Sequence, residues 1–205
     1  MNIPEPQWLT ADWHIGDKRF DLMARPFISS YAQTELIVDN YCKVIEKDDV
    51  VWFLGDVIYK EADQSLLSLI GTLPGRKVLF RGNHDIYFTD KQFSKYFELV
   101  VPEGKGKYFT IDSQIDGYAT HYPTQGVKDA FNVVGHVHSA WKYQLNMLNI
   151  GVDVHHFRPV SVLSLRGHID AATKFYDEDV WVAYNEINNS FREERGAKTR
   201  YFKGV

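Results

Sequence analysis

The sequence predicts an α/β protein, and three of its features point that way. Short apolar runs alternate along the chain with stretches of helical periodicity, which argues against separate all-helical and all-strand blocks. One run, Val50-Val51-Trp52-Phe53-Leu54, is apolar at every position, as expected of a strand covered on both faces. Several of these runs lead into Gly, Asp, Asn or His, residues that suit loops and sites better than cores.

Taken in order, Trp8-Leu9-Thr10-Ala11 is the first candidate strand. Over residues 31–47, Leu36, Ile37, Tyr41, Val44 and Ile45 recur at helical spacing, with Ser30 and Gln33 as a capping box. Cys42 falls inside that pattern and reads as a small core residue. Val50–Leu54 is the second strand. Residues 65–70 form a short helix stopped by Gly71 and Pro74. Val78-Leu79-Phe80 is the next buried strand, and Thr89 caps a helix over 89–97.

Residues 108–111 and 118–120 read as strands joined through the turn-prone pair Asp116-Gly117. Asn132-Val133-Val134 and Leu148-Asn149-Ile150-Gly151-Val152 follow, and Ser161-Val162-Leu163-Ser164-Leu165 is one more strand. After about Asp170 polar residues mix with aromatics and end in a basic stretch over 192–203. The expected organisation is one domain over residues 1–169. An appendage over 170–205, helical around 182–191, packs on it. There is no internal repeat and no linker composition.

With 205 residues the chain is long enough to bury a core as one domain. A net charge of −4 argues against a protein that wraps nucleic acid, because phosphate backbones demand a basic face. Nucleic acid remains open as a substrate, with the positive charge supplied locally. A single cysteine rules out an intrachain disulfide. No cationic leader and no apolar run of spanning length is present, so the expectation is a cytoplasmic protein without a membrane partner. Oligomeric state is not readable.

The chemistry is carried by the loops that follow the apolar runs. Asp12 and His14 follow the first, Asp56 the second, Asn83 and His84 the third, His121 the run 118–120, and His136 and His138 the pair Val133-Val134. In open α/β sheets ligands bind beyond the carboxyl ends of the strands, so five loops can deliver these side chains to one place. Asp12/His14 and His136/His138 are spaced i, i+2, which in extended chain puts both members on one face. Glycine precedes the ligand at Gly55, Gly82 and Gly135, giving sharp turns and close backbone approach.

A lone Gly-Asp or a lone His says little. Five of the eight histidines at such positions, all after strand-like runs, say much more. Asp, Asn and His without thiolate suit Mn²⁺, Fe, Zn²⁺ or Ni²⁺. Seven candidate ligands exceed one transition ion. Two ions about 3.5–4 Å apart sharing a carboxylate account for them and form a clamp for in-line attack at phosphorus.

Asp12-x-His14, Gly55-Asp56, Gly82-Asn83-His84-Asp85, His121 and Gly135-His136-x-His138, in that order, resemble the signature of the calcineurin-like metallophosphoesterase superfamily. Arg25-Pro26-Phe27, Leu73-Pro74-Gly75-Arg76-Lys77, His121-Tyr122-Pro123 and Asn149-Ile150-Gly151-Val152-Asp153 add similarity to small bacterial and phage-type members. The resemblance implies a four-layer α/β/β/α sandwich with two divalent ions, Mn²⁺ first among them. Asp12, His14 and His138 would hold one ion, Asn83, His121 and His136 the other, with Asp56 bridging. Metal-activated hydroxide would attack the phosphorus of a small nucleotide-like or phosphodiester substrate. His84 would stabilise charge or protonate the leaving oxygen, and Asp85 would orient His84.

A phosphomonoesterase, a nuclease and a non-catalytic scaffold of the same fold are the alternatives. A protein phosphatase is disfavoured: Val57-Ile58-Tyr59-Lys60 follows Asp56 where that branch has Val-Asp-Arg-Gly, and Asp85 stands in place of Glu. Arg81 has two readings, substrate contact beside Asn83 or structural ion pair. Asp17 is expected to turn the loop after His14, and His155, His156 and His168 to lie outside the ligand set.

Overall fold

The computed structural model describes residues 3–113 and 115–174. Its elements are β1 (Trp8–Thr10), α1 (Ser30–Cys42), β2 (Val50–Leu54), α2 (Ser68–Thr72), β3 (Arg76–Phe80), α3 (Asp90–Phe93) and β4 (Leu99–Val101). They continue with β5 (Lys107–Asp112), β6 (Ile115–Thr120), β7 (Phe131–Val134), β8 (Tyr143–Gln144), β9 (Met147–Asn149), β10 (Val160–Ser161) and α4 (Leu165–Lys174). Two five-stranded sheets result, ordered β10-β1-β2-β3-β4 and β5-β6-β7-β9-β8. β1 to β4 run parallel, as do β6, β7 and β9; β10, β5 and β8 are antiparallel edge strands.

β2 shows why this sequence makes this sandwich. Val50, Trp52 and Leu54 face the second sheet and meet Phe109, Ala119 and Val133. Val51 and Phe53 point the opposite way, among Ile37, Tyr41 and Ile70 of the helical layer. Each side chain is buried, which stabilises by about 1.5–3 kcal/mol per residue of this size. Trp52 ties the sheets together, its ring centroid 4.9 Å from Phe80 and 5.6 Å from Phe109. This two-sheet α/β core is the one expected of the sandwich class.

The sheets also join at one end. Ala11 bridges Gly151 in parallel, and Val152 N–H donates to the Ala11 carbonyl at 3.1 Å. The carboxyl ends of the parallel strands of both sheets therefore open toward a common edge. Among the described residues no helix is long and apolar enough to cross a membrane.

Several sequence expectations are corrected in detail. The α1 cap is Ser29, whose hydroxyl accepts from Ala32 N–H, and not Ser30; Gln33 is instead buried and donates to the carbonyls of Trp13 and His14. α1 stops at Cys42, because the chain turns there to bring Ile45 into the core; Cys42 is exposed. Asp116-Gly117 lies within β6 and is not the turn. A side chain at Gly117 would collide with the Phe109 ring across the strand pair, so the glycine serves packing.

Residues 161–165 are not a strand beyond Ser161: a 3-10 turn over Val162–Ser164 leads into α4. Val162, Leu165 and Ile169 then fall on one face and join the core between the sheets. The helix at Thr89 has the expected cap, which forms a capping box with Gln92, but ends at Phe93. α4 crosses the expected boundary at residue 169. The expected helix over 182–191 lies outside the described residues.

Candidate metal centre

Every sequence-predicted ligand comes to this edge of the sandwich. Asp12 and His14 follow β1, Asp56 follows β2, Asn83 and His84 follow β3, His121 follows β6, and His136 and His138 follow β7. Three groups of ligand atoms lie within 4.8 Å of one another: Asp12/His14/His138, Asp56/His121/His136 and His14/Asp56/His84. Asp56 occurs in two of them. Its Oδ2 is 3.5 Å from His14 Nε2 and 3.6 Å from His121 Nε2. Asn83 Oδ1 is 3.3 Å from His121 Nε2 and 2.9 Å from His136 Nδ1.

The chain reaches this geometry differently from the sequence expectation. Asp12, His14, His136 and His138 are not in extended chain; their φ values are 60°, 51°, 74° and 47°. Asp56 joins them at 53°. Left-handed backbone costs a non-glycine residue on the order of 1–3 kcal/mol, so tertiary contacts must hold it there. They are visible: Asp12 N–H donates to Gly55 O, His14 N–H to Asp56 O, and both Asp12 carboxylate oxygens accept from His136 N–H.

Gly55, at φ 86°, lets His121 and the Gly82 backbone approach. Gly82 leaves the volume filled by the Asp56 carboxylate. The room these glycines create is taken by neighbouring ligand residues.

Three of the histidines, His121, His14 and His138, are oriented from behind. The Leu54 carbonyl can only accept, so His121 Nδ1–H donates to it at 2.7 Å and the Nε2 lone pair faces Asp56 and Asn83. His14 Nδ1 lies 3.3 Å from Asp17 Oδ2, and His138 Nδ1 3.0 Å from Asp153 Oδ2. This carboxylate-to-imidazole backing fixes ring orientation and raises ligand basicity.

Asp153 is in turn held by Arg25 through contacts of 2.6 and 2.8 Å. The same guanidinium binds the carbonyls of Trp13 and Asp12. Asp17, Asp153 and Arg25 thus support ligands from which sequence patterning had kept them apart. In the sequence these positions stand out only as the turn at Asp17 and as parts of Arg25-Pro26-Phe27 and Asn149-Ile150-Gly151-Val152-Asp153.

The electrostatics suit a cation. Burial raises the Asp12 pKa. Burial pushes the same way on Asp56, but the His14 contact and the charges of His121 and His14 hold its carboxyl well below the usual range. Burial works against charge on His14, yet Asp17, Asp56 and Asp12 together hold its pKa up at about 9. A proton there stands where a metal would, and metal binding would release it.

His14 Nε2 and Asp56 Oδ2 are nonetheless buried without any hydrogen-bond partner. A buried unsatisfied pair of this kind costs free energy unless something bridges it. The O/N donor set of the three groups fits a divalent transition ion.

Asp85 does not meet the expectation set for it. Its buried carboxylate accepts from the N–H groups of Asp56, Val57 and Gly82, at 2.7, 3.1 and 2.9 Å. Burial and the Asp56 charge raise its pKa to about 7. His84 Nδ1 has no partner, so the expected Asp85–His84 contact is absent; three convergent backbone donors have captured the carboxylate.

Burial lowers the His84 pKa to about 4. Arg81 takes its structural reading, donating to Asp90 at 2.8 Å and to the carbonyls of Asp85 and Phe88. His155 and His168 lie apart, the first against the Asn149 carbonyl and the second against Tyr143.

Comparison with known proteins agrees with this geometry. A family model described as calcineurin-like phosphoesterase matches residues 6–183. The uncharacterized protein MJ1445 of Methanocaldococcus jannaschii is 27% identical over 164 residues, covering 76% of this chain and 86% of that protein. The gene 66 protein of Mycobacterium phage L5 is 35% identical over 80 residues, spanning 38% of this chain and 39% of the phage protein. Among solved structures, AQ665 of Aquifex aeolicus, a protein of unknown function, superposes with a TM-score of 0.61 at 20% identity. That superposition covers 79% of this chain and 98% of that one, and it shows the shared fold.

Proposed function

The chain belongs to the calcineurin-like phosphoesterase family, and from that premise we propose that it is a dinuclear metal-dependent phosphodiesterase for a small nucleotide-like or phosphodiester substrate. The observation that carries the reading is Asp56 Oδ2, buried and unpartnered between His14 Nε2 and His121 Nε2. That is the place of a bridging carboxylate. Asp12, His14 and His138 are assigned to one ion and Asn83, His121 and His136 to the other, with Mn²⁺ as the first candidate. When bound, the ions supply Lewis acidity and a water acidic enough to act as nucleophile at neutral pH.

The chain's own residues do the rest. Asn83 orients the phosphoryl group beside the second ion. His84, half-buried at the edge of the same pocket as Asn83 and His136, is assigned no metal. Its low pKa keeps the ring neutral at neutral pH, so its contribution is an N–H donated to charge developing on the leaving oxygen. This favours charge stabilisation over proton transfer. Asp85 is a positioning residue, locking the loops that carry Asp56 and Asn83 through their backbone amides.

The test is hydrolysis of bis-p-nitrophenyl phosphate and p-nitrophenyl phosphate by purified protein, with Mn²⁺ added or chelated. Metal-dependent turnover with the diester faster is the expected outcome. Faster monoester turnover would overturn the ester class, and no turnover of either would overturn the enzyme reading.

A further inference from the structure

Arg19 is the one half-exposed cation on the lining of the pocket that holds His14, Asp56, Asn83, His84, His136 and His138. Its position is fixed twice. Asp17, fully buried, takes its Nε at 3.0 Å and its Nη2 at 2.8 Å, while the same carboxylate backs His14. The guanidinium carbon lies 4.3 Å from the centre of the Tyr59 ring. Tyr59 stands 5.3 Å from His84, and His84 stands 4.6 Å from His14.

Ring contacts therefore lead from His14 through His84 and Tyr59 to Arg19, edge-on between the two histidines and tilted between His84 and Tyr59. Arg19 Nη1 makes no hydrogen bond among the described residues. Lys60 sits over the exposed ring of Tyr87 at 5.4 Å.

The Arg19–Asp17 pair joins a buried carboxylate to a guanidinium whose outer edge reaches solvent. Held flat by an ion pair and an aromatic face, with one edge free, a guanidinium is preorganised to grip a phosphate. The reacting phosphoryl group is assigned to the ions and Asn83, and the rings of His84 and Tyr59 lie along the contacts that lead from His14 out to Arg19. We propose that Arg19 binds a second phosphate, one carried by the leaving group on the His84 side of the scissile bond, so that the preferred substrate has two neighbouring phosphates. This rests on the phosphodiesterase reading above, because that reading makes the His84 side the leaving-group side. The exposed ring of Tyr87 is an aromatic face of the kind on which bases stack.

The experiment is calorimetric binding of thymidine 5′-monophosphate and thymidine 3′,5′-bisphosphate to the Mn²⁺-loaded protein, wild type and Arg19→Ala. Beside it, kcat/KM is measured on the dinucleotide TpT and on its 5′- and 3′-phosphorylated forms. Wild type is expected to bind the bisphosphate about tenfold more tightly and to favour one phosphorylated dimer by a similar factor. Arg19→Ala should bring both ratios close to one, and Arg19→Lys should restore part of them.

Equal binding of the two nucleotides by wild type overturns the proposal. So does an Arg19→Ala variant that keeps the preference, or one that weakens both ligands equally. An Arg19-dependent binding preference without turnover of any dimer would leave a second phosphate site at Arg19 standing and overturn the phosphodiesterase reading, and with it the placement of that phosphate on the leaving group.

Discussion

The floor of the site and its open wall are built by different physics. Asp12, His14, Asp56 and His121 are at most 2% exposed; left-handed backbone is common to both regions, at Asp12, His14 and Asp56 below and at His136 and His138 above. His138 is 24% exposed and His136 more so, with Asn83 and His84 half-buried beside them. The floor is fixed by ladder-like backbone bonds between neighbouring strand ends and keeps two buried polar atoms without partners. The wall is fixed by side chains reaching in from elsewhere, such as Asp153 behind His138. On the proposed reading, buried unsatisfied atoms are tolerated where an ion would satisfy them, and solvent access is kept where substrate would enter.

This contrast can be broken at its deepest point first. Asp56→Ala removes the carboxylate between the two histidines, so both ions should be lost on metal analysis. Phosphodiester turnover should then fall by roughly three orders of magnitude or more. A variant that retained two ions per chain would remove Asp56 from the bridging position.

On the wall, His84→Ala should keep its ions and lose about 10²–10³ in kcat, the scale of one lost oxyanion donor. Metal loss in that variant would make His84 a ligand, as its place with His14 and Asp56 within 4.8 Å allows.

A smaller effect is expected from the supports. Asp153→Asn should weaken the ion at His138 by about 10–100-fold in a competitive chelator titration while sparing the other ion. Equal weakening of both ions would contradict the division of ligands. Asp153→Ala should in addition destabilise the fold by about 3–5 kcal/mol, because it strands the buried Arg25 guanidinium.

The smallest change concerns pH. Burial lowers the His155 pKa from 6.5 to about 4. The folded protein holds this ring neutral while the unfolded chain protonates it, so the associated stability is present above pH 6.5. It is lost as the pH falls from there toward 4. Thermal melting of His155→Gln over that range should show a shallower decline than wild type; identical slopes would refute the assignment.

Much of the site was legible in the sequence because ligand placement is a local property here. An apolar run followed by Gly-Asp or Gly-Asn-His is a strand and the loop at its end, and parallel order does the rest. The role of Asp85 was not legible. Its neighbour in sequence is His84, but in space three amides from two loops reach it first. Gly117 misled for a related reason: Asp-Gly suits a turn, and only the ring of Phe109 across the ladder shows why the glycine sits mid-strand.

By itself the sequence determined the α/β class, the strand that is apolar on both faces, the order of the candidate ligands and their number. Those follow from periodicity and residue chemistry, which act over a few residues. Tertiary structure alone decided that the i, i+2 pairs would converge through left-handed backbone. It also decided that Arg25 and Asp153, 128 residues apart, would lock His138, and that Arg19 would lie across Tyr59 from His84. Such partners are chosen by which strand ends the sheets bring side by side, and no local pattern encodes that.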